Sequence, residues 1–448
     1  MQKKEDGNHI VAVIGGATSG AEVAMQLTNM DVEVAVFDRH LLPYGKIDDG
    51  LPRWHSKLQQ KEFKNIDSKL SHQKVKYIPG VKLGKDYQLD EIVQWGFSLL
   101  VLATGASVDR PLNIPGVEEV TDLSFAYQND FIYWFNHYED ANYQGTRFPL
   151  KDGAVVIGGG LASLDVTKIC QLENTVRKLK ILGIETDVIH LEHKGIPSFL
   201  AEHNMSWHDL NLEPAKLYYR RRLRDMPLAA MPPDADDVTR EKIEKVREKI
   251  IENAQRKFLF ELHPLHAPKA MIVEAGHVKG IIFEHTEIVQ GKVVMTGQEV
   301  VVNTEMVISS IGSIPEPLPG MTMEGELYKL KDKESSHLEG YDNVFVVGNA
   351  VTGQGNIRAS MRHGRAIGKM LSENLTQTGP DYEKLVNLAN IRVEEYMQEL
   401  KEYLTTLPHP DKASCQLINE KIRMLQQLNG FDGNYEGWVA SRLAERKA

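Results

Sequence analysis

The stretch Val11–Ala24, "VAVIGGATSGAEVA", decides the fold that the sequence predicts. It is typical of a strand buried on both faces, followed by a glycine turn and the start of a helix. In a dinucleotide-binding turn the first glycine permits a tight bend, the second lets pyrophosphate approach the main chain, and the third lets the helix pack against the strand. Gly15 and Gly20 stand in the first and third positions, but Ala17 stands in the second. Alone, the stretch leaves a dinucleotide cradle and a glycine-rich packing turn equally open.

The neighbouring residues complete this candidate site. Asp38 ends the next strand, "VEVAVFD", 18 residues after Gly20, and its carboxylate can accept hydrogen bonds from both ribose hydroxyls of an adenosine. Gly16 and Ser19 belong to the same turn, where phosphates would meet the positive end of the helix. Ala17 adds one methyl group, so we expect the pyrophosphate to lie slightly displaced from the main chain or to be bridged to it by water.

Two further buried strands end in small residues that a cofactor can approach. "FSLLVLATGA" ends at Thr104 and Gly105, and "YDNVFVVGNA" ends at Gly348 and Asn349. Together with Asp38, these strand ends favour a cofactor cradle over a packing turn.

The same layout then occurs a second time. "GAVVIGGGLASLDVTKICQL" (153–172) predicts another strand, glycine turn and helix, with Gly158, Gly160 and Ser163 in the three small-residue positions. "TDVIHLE" (186–192) is interpreted as a second strand ending in an acid. Two copies of one nucleotide-binding layout are rarer than either copy alone. The sequence therefore predicts an α/β protein with two Rossmann-like, dinucleotide-binding domains.

Composition excludes several classes of protein. The formal net charge of −10 argues against a nucleic-acid binder. Cys170 and Cys415 are the only cysteines, so there is no disulfide framework, redox pair or cysteine-held cluster. No window approaches the roughly 18 apolar residues of a membrane span, and the first residues do not resemble a signal peptide. We expect a cytoplasmic protein without a metal site, and "HPLH" (263–266) is interpreted as structural.

Six motifs resemble the flavoprotein reductases of the adrenodoxin reductase type and the related glutamate synthase small subunit. They are "VIGGATSG", "LLPYGKIDDGLPRWH", "LVLATGASVDRPLNIPGV", "VVIGGGLASLDVTKI", "VISSIG" and "VFVVGNAVTGQGNI", in order over residues 8–375. The resemblance implies an FAD-binding domain at 8–115 and 325–378. A nicotinamide-dinucleotide domain would be inserted at 116–324, and a C-terminal helical extension would follow at 379–448.

The resemblance also implies roles for particular residues. Gly15, Gly20 and Asp38 would hold the adenosine diphosphate half of FAD, and His55 would lie near the flavin or be a surface histidine. The remaining flavin-binding positions that it implies are Gly45, Gly348, Asn349, Gly355, Asn356 and Ile357. Three departures from the family pattern are "ATSG" in the first turn, Asn349, and Leu161 in place of an asparagine.

The choice between NADH and NADPH is expected at the end of the strand that follows the second turn. An acid there binds the ribose hydroxyls of NAD, whereas arginines bind the 2′-phosphate of NADP. The sequence has Glu192 at this place, and His193 and Lys194 replace the arginines of NADP-using relatives. Lysine cannot bind a phosphate bidentately. We therefore predict a preference for NADH, with a solvated Glu192–Lys194 surface pair as the alternative.

Two regions are left to interpretation. Residues 210–258 are very charged and are expected to form a helical excursion on the surface of the second domain. Within them Arg220–Arg224 is a basic cluster that would attract an acidic, ferredoxin-like partner or form a solvated helix face. After Pro380, two amphipathic helices are predicted, packed on the protein or used for homo-oligomerisation.

The predicted function is an FAD-dependent NAD(P)H oxidoreductase with a ferredoxin-like acceptor. A small-molecule acceptor and a docking subunit of a larger complex are the alternatives.

Overall fold

The computed structural model describes residues 8–229, 231–232, 235–331, 335–351 and 382–446. Its strands are β1 (Ile10–Ile14), β2 (Glu33–Phe37), β3 (Val75–Ile78), β4 (Leu99–Leu102), β5 (Val108–Asp109), β6 (Phe125–Tyr127), β7 (Val155–Ile157), β8 (Lys216–Tyr219), β9 (Glu261–Pro264), β10 (His266–Glu274), β11 (His277–Val289), β12 (Lys292–Asn303), β13 (Val307–Ser309), β14 (Ser313–Ile314), β15 (Met323–Glu324), β16 (Leu327–Tyr328) and β17 (Val344–Val346). Its α-helices are α1 (Thr18–Thr28), α2 (Lys46–Asp49), α3 (Ser56–Leu70), α4 (Leu89–Val93), α5 (Gln128–His137), α6 (Leu161–Ile181), α7 (Val188–Lys194), α8 (Ile196–Glu202), α9 (Asp237–Phe258), α10 (Tyr382–Thr406), α11 (Lys412–Leu428) and α12 (Tyr435–Glu445).

The first sheet has five parallel strands in the order β17-β4-β1-β2-β3. All five residues of β1 are buried at its centre. A strand covered on both faces has to be apolar throughout, which explains the continuous "IVAVI" run. Because the carboxyl ends of parallel strands lie at one edge of a sheet, the first glycine turn meets the ends of β2, β4 and β17 there.

The second sheet is also parallel and has the order β6-β13-β7-β8-β9. β7 takes the place of β1, β8 that of β2, β9 that of β3 and β13 that of β4. The two sheets therefore share one arrangement, which confirms the predicted α/β fold with two Rossmann-like units.

The chain passes from the first sheet to the second after β4 and returns before β17. The two connecting segments lie side by side, because β5 pairs with β14 in antiparallel orientation. An antiparallel sheet of β10, β11 and β12 is added to the second half. The second unit is thus inserted in the first, and the two glycine turns belong to adjoining halves.

The strand predicted at 186–192 is wrong, because this segment lies in α7. The Asp187 side chain caps the helix by accepting a hydrogen bond from the His190 N–H at 2.8 Å. Gly195, with φ +87°, follows its last residue. An aspartate before the helix and a glycine after it are the usual helix boundary signals.

Residues 210–258 do not form the predicted surface excursion. β8 pairs with both β7 and β9 inside the second sheet, and its Leu217 and Tyr218 are buried. α9 connects β8 to β9 and buries Ile251 and Phe258 in the core of this half. The segment is therefore a central strand with its crossover helix. Most charged residues of α9 lie on the solvent side, but Arg247 is buried and donates to the Ala229 carbonyl at 2.7 Å.

The C-terminal helices pack on both faces of the first sheet. α10 buries Val393, Met397, Leu400 and Leu404 in the same core as β1 and α1. α11 buries residues in the core on the other face of that sheet, beside β3.

The structure has a third C-terminal helix, α12, which the sequence analysis did not predict. Two positions of the predicted apolar stripe of α11 lie outside the core, since Leu417 and Leu428 are 60% and 72% exposed. Among the described helices, none is long and apolar enough to cross a lipid bilayer.

Candidate active site

A cleft of about 410 Å³ opens at the carboxyl edge of the first sheet. Its walls are the first glycine turn, the strand ends after β2 and β4, and the segment around α2. The predicted site residues that line it are Gly15, Ala17, Ser19, Asp38, Gly45, Thr104 and Gly105. The fold therefore brings together, in one cleft, residues that the sequence analysis took from four separate motifs.

The first turn presents the start of α1 to this cleft. The N-cap residue Ala17 has no side-chain acceptor for the first N–H groups of the helix, and Thr18 and Ser19 line the cleft. The first N–H groups of a helix lack partners within the helix and carry a partial positive charge. This end of α1 is therefore suited to a phosphate group.

Gly15 and Gly20 have the geometry expected of the first and third glycines. Gly15 has φ +104°, and a Cβ atom there would lie 2.5 Å from the Ala103 carbonyl oxygen. A Cβ on Gly20 would lie 1.7 Å from the Gly15 carbonyl oxygen. Both contacts are closer than atoms can approach, so the bend and the close packing of α1 each require glycine.

Gly45 lies against the methyl group of Ala17. Gly45 has φ +48° and ψ −134°, and a Cβ atom on it would lie 3.0 Å from the Ala17 Cβ. The side chain missing at Gly45 thus leaves room for the methyl group present at Ala17.

Asp38 holds the strand end against the turn. Its carboxylate accepts hydrogen bonds from the N–H groups of Gly16 at 2.7 Å and His40 at 2.8 Å. Burial raises the pKa of Asp38, although these hydrogen bonds oppose the rise. A carboxylate has about four acceptor sites, so Asp38 can still accept bonds from a ribose.

The last strand of the first sheet ends against the first turn. Gly348 has φ +69°, and a Cβ on it would lie 2.4 Å from the Ser19 hydroxyl oxygen. Asn349 lies in the 3₁₀ turn Gly348–Val351. The predicted flavin contacts Gly355, Asn356 and Ile357 lie outside the described residues.

Two glycines of the second turn are also packed too closely to carry a side chain. A Cβ on Gly158 would lie 2.2 Å from the Ser310 carbonyl oxygen, and one on Gly159 would lie 2.2 Å from the Tyr219 ring. Gly160, the N-cap of α6, has open space around it. The Ser163 hydroxyl donates to the Gly160 carbonyl at 2.6 Å. Leu161 is the first residue of α6, so this turn also presents a helix start without a side-chain cap.

The predicted selector of the nicotinamide cofactor is not at a strand end. Glu192 and His193 lie in α7, where Glu192 accepts a hydrogen bond from Lys168 at 2.9 Å. Lys194 pairs with Glu202. The strand that follows the second turn is β8, and Arg220 directly follows its end. The strand-end position predicted for Glu192, His193 and Lys194, on which their assignment to cofactor selection rested, is therefore wrong.

His55 lies where the two halves meet. It ends the 3₁₀ helix Arg53–His55, and burial lowers the pKa of its ring. The charges of Asp165, Lys168 and Glu192 act on it from α6 and α7. The Lys168 ammonium also lies 4.4 Å from the centre of the Trp54 ring. No sequence pattern predicts this cluster, because it depends on contacts between distant segments.

Lys46 connects the cleft to the second half. It lines the cleft, and its ammonium donates to Asn129 Oδ1 at 2.9 Å and to Ser313 Oγ at 2.8 Å. Burial lowers the pKa of Lys46 to about 8, despite the nearby Asp109 carboxylate. Burial likewise raises the pKa of Asp109 to about 6. The cleft therefore extends from the first glycine turn to the boundary with the second half.

Comparison with known proteins agrees with this geometry. Residues 9–204 match the family described as pyridine nucleotide-disulphide oxidoreductase. The mitochondrial NADPH:adrenodoxin oxidoreductase of Arabidopsis thaliana is 24% identical over 74% of this chain and 73% of the relative. The NADPH-ferredoxin reductase FprA of Mycobacterium leprae is 25% identical over 90% of this chain and 91% of the relative.

A solved structure of Mycobacterium tuberculosis FprA in complex with NADPH has the same fold. The TM-score is 0.65 at 18% identity, and the match covers 94% of this chain and 91% of that one. In sequence over residues 9–204 and in overall fold, this chain is similar to the pyridine nucleotide oxidoreductases, including reductases of adrenodoxin and ferredoxin.

Proposed function

We propose that this chain is an FAD-dependent oxidoreductase that takes hydride from NADPH and passes electrons to a separate, ferredoxin-like protein. The observation that carries the proposal is one cleft with two features. It begins at an uncapped glycine turn of one parallel sheet and reaches, through Lys46, the half that holds the second turn. The relatives named above, which are reductases of adrenodoxin and ferredoxin, support the acceptor class.

The described residues of the cleft fit FAD. The uncapped start of α1 would bind the pyrophosphate, and Asp38 would bind the ribose with its remaining acceptor sites. Gly105, with φ +64° and open space around it, would let the flavin end approach the main chain. Gly348 would close this end from the last strand.

We assign the choice of NADPH to the arginines after β8. An arginine at the end of this strand can bind the 2′-phosphate of NADPH with two parallel hydrogen bonds. Arg222 is held by Asp225 through bonds of 2.9 and 3.0 Å, and Arg221 donates to the Gly291 carbonyl at 3.1 Å. The Arg220 side chain is exposed. We therefore propose that Arg220 and Arg221 bind the phosphate, and that the Arg222–Asp225 pair fixes the segment.

The chemistry needs orientation more than acid–base groups. FAD, when bound, supplies the hydride acceptor and the electron store. The start of α6 at Gly160 would hold the NADPH pyrophosphate. Lys46 would hold the two halves together across the cleft through its bonds to Asn129 and Ser313. Burial lowers the pKa of His55 and favours its uncharged ring at neutral pH, so one ring nitrogen could accept a proton if the flavin end lies beside it.

The test begins with the purified chain under anaerobic conditions. We expect a flavin absorption band that NADPH bleaches at lower concentration than NADH does. Arg221→Ala should weaken the binding of NADPH and leave the binding of NADH unchanged. Arg240 is an exposed arginine of α9, and Arg240→Ala should change the binding of neither nucleotide. A chain that does not bind FAD would overturn the proposal, and an unaltered preference in Arg221→Ala would overturn the assignment of the arginines.

The acceptor is tested with the reduced protein. Rapid oxidation by a ferredoxin, with slow oxidation by quinones, supports the proposal, and the reverse order supports a small-molecule acceptor. Because we assign Arg220 and Arg221 to nucleotide binding, only Arg222–Arg224 remain of the partner surface predicted at Arg220–Arg224. Arg224, with its guanidinium 3.9 Å from Glu244, belongs to that part.

We also propose the domain limits of the sequence analysis, with FAD bound by 8–115 and 325–378 and the nicotinamide dinucleotide by 116–324. A cytoplasmic location and homo-oligomerisation through the C-terminal helices stay predictions.

A further inference from the structure

Three potential metal ligands lie together outside the cleft, where α2 meets α5. They are Asp48 and Asp49 of α2 and His137, the last residue of α5. One ligand atom from each lies within 4.8 Å of the other two. All three line a separate cavity of about 440 Å³, which also contacts the C-terminal end of α12. The proposed redox chemistry gives none of them a role.

His137 is the residue that distinguishes this site from a chance group of carboxylates. Its side chain is 7% exposed, and its Nδ1 lies 2.9 Å from Asp140 Oδ2. Its buried Nε2 has no hydrogen-bond partner among the described atoms and faces Asp49. A histidine that is oriented by a carboxylate at one ring nitrogen and offers the other is the usual form of a histidine metal ligand.

The distances suit a tetrahedral metal ion. Zinc binds nitrogen and carboxylate oxygen at about 2.0–2.2 Å, so neighbouring ligand atoms in a tetrahedral site lie about 3.3–3.6 Å apart. His137 Nε2 and Asp49 Oδ1 are 3.4 Å apart, which is long for a hydrogen bond. Asp48 offers the third ligand atom, which lies within 4.8 Å of the other two.

Two neighbouring side chains approach these carboxylates. Arg446 Nη1 lies 2.6 Å from Asp48 Oδ2, which leaves the second oxygen of Asp48 available. His40 Nε2 lies 3.7 Å from Asp49 Oδ2, but it also receives a hydrogen bond from Arg39. A metal ion at this place would therefore share Asp48 with Arg446 or displace it.

We propose that Asp48, Asp49 and His137 bind one Zn²⁺ ion, with water in the fourth position and with Asp140 positioning His137. The Asn136 side chain donates to the Asp48 carbonyl at 2.7 Å and already holds α2 against α5, so little rearrangement is needed. The ion would join α2, which begins at Lys46 of the cleft, to the second half. This site is independent of the proposed redox function.

The test is calorimetric titration of the chelator-treated full chain with zinc chloride. We expect one Zn²⁺ per chain, lost on His137→Ala and weakened at least tenfold by Asp49→Asn. Asp140→Asn should weaken binding about 10- to 100-fold, as the loss of a partner behind a metal-bound histidine does. Arg446→Gln should tighten binding, because it removes the competing cation. Co²⁺ in place of Zn²⁺ should give the visible spectrum of a tetrahedral site.

His277→Ala is the matched control. His277 also pairs with an aspartate, Asp122, at 2.7 Å, but it is exposed, and we expect its loss to leave Zn²⁺ affinity unchanged. The proposal is overturned if the wild-type chain binds no Zn²⁺, or if His277→Ala costs as much affinity as His137→Ala. If circular dichroism shows that His137→Ala is unfolded, the opposite shifts expected for Asp140→Asn and Arg446→Gln decide. If Asp140→Asn and Arg446→Gln bind Zn²⁺ with the same affinity as each other, the proposed site is rejected.

Discussion

Gly45→Ala should damage the cleft through two separable effects. The backbone of Gly45, at φ +48° and ψ −134°, lies in a region that other residues rarely adopt, and holding a residue there costs about 1–3 kcal/mol. The new Cβ would also meet the Ala17 Cβ at 3.0 Å, and overpacking of this kind costs about 1–3 kcal/mol. We expect the free energy of unfolding to fall by about 2–6 kcal/mol, the sum of these two ranges.

The double variant Gly45→Ala/Ala17→Gly separates the two effects. Removing the Ala17 methyl group abolishes the contact but leaves the backbone strain, so about 1–3 kcal/mol should return. Urea denaturation measures the stability, and fluorescence titration with FAD measures the cleft. Gly183→Ala is the control, because Gly183 has φ +80° and no atom within 4 Å of its added Cβ. If the double variant recovers no stability, the interpretation of Ala17 and Gly45 as compensating residues is refuted.

Three further predictions concern single residues. Arg221→Ala should raise the KM for NADPH about 10- to 100-fold by removing a charged hydrogen bond worth about 1.5–3 kcal/mol, as steady-state kinetics would show. Lys168→Met should lower stability by about 3–5 kcal/mol, because it removes the ammonium from the buried Asp165 carboxylate and the half-buried Glu192 carboxylate. A smaller loss in urea denaturation would mean that water solvates these carboxylates. Burial alone would raise the pKa of Glu192, but Lys168 holds it below its ordinary value of 4.5. The Lys168–Glu192 pair should therefore stabilise the protein above pH 4.5 and lose this effect as the pH falls further below that value. If the free energies of unfolding of the wild type and Lys168→Met change in the same way with pH, this expectation is contradicted. Ala17→Gly should bind FAD as tightly as the wild type, and a severalfold change would show that the methyl group contacts the cofactor.

The glycine turns could be predicted from the sequence because their physical requirements are local. A buried parallel strand must be apolar, and Gly15 and Gly158 stand where a side chain would meet the backbone of the neighbouring strand end. These requirements are visible within about 20 residues of sequence. The two Rossmann-like units followed from them.

The second strand of the second unit was assigned wrongly because two local signals competed. "TDVIHLE" ends in an acid and contains apolar residues, as a strand would, but Asp187 and Gly195 are helix boundary residues. The true strand, β8, is only four residues long and is followed by arginines. Its position beside β7 depends on pairing across more than 50 residues, which periodicity does not reveal.

The group around His137 could not be predicted at all. Asp48 and His137 are 89 positions apart in the sequence, and they approach each other only because α5 packs on α2. No spacing rule connects such residues. The His55 cluster arises in the same way, from side chains of three separate helices.

The placement of the last three helices changes how the chain can be divided. α10 and α11 cover opposite faces of the first sheet, and α12 is attached beside them, with Tyr435 bonded to Asp67 at 2.8 Å and Trp438 to the Leu41 carbonyl at 2.7 Å. Burying one large apolar side chain is worth about 1.5–3 kcal/mol, and a typical domain is stable by only about 5–15 kcal/mol. A chain cut before α10 would expose both faces of the sheet that forms the cleft, and we expect it not to fold. The C-terminal segment is an outer layer of the first unit, and we expect the shortest fragment that folds to include it.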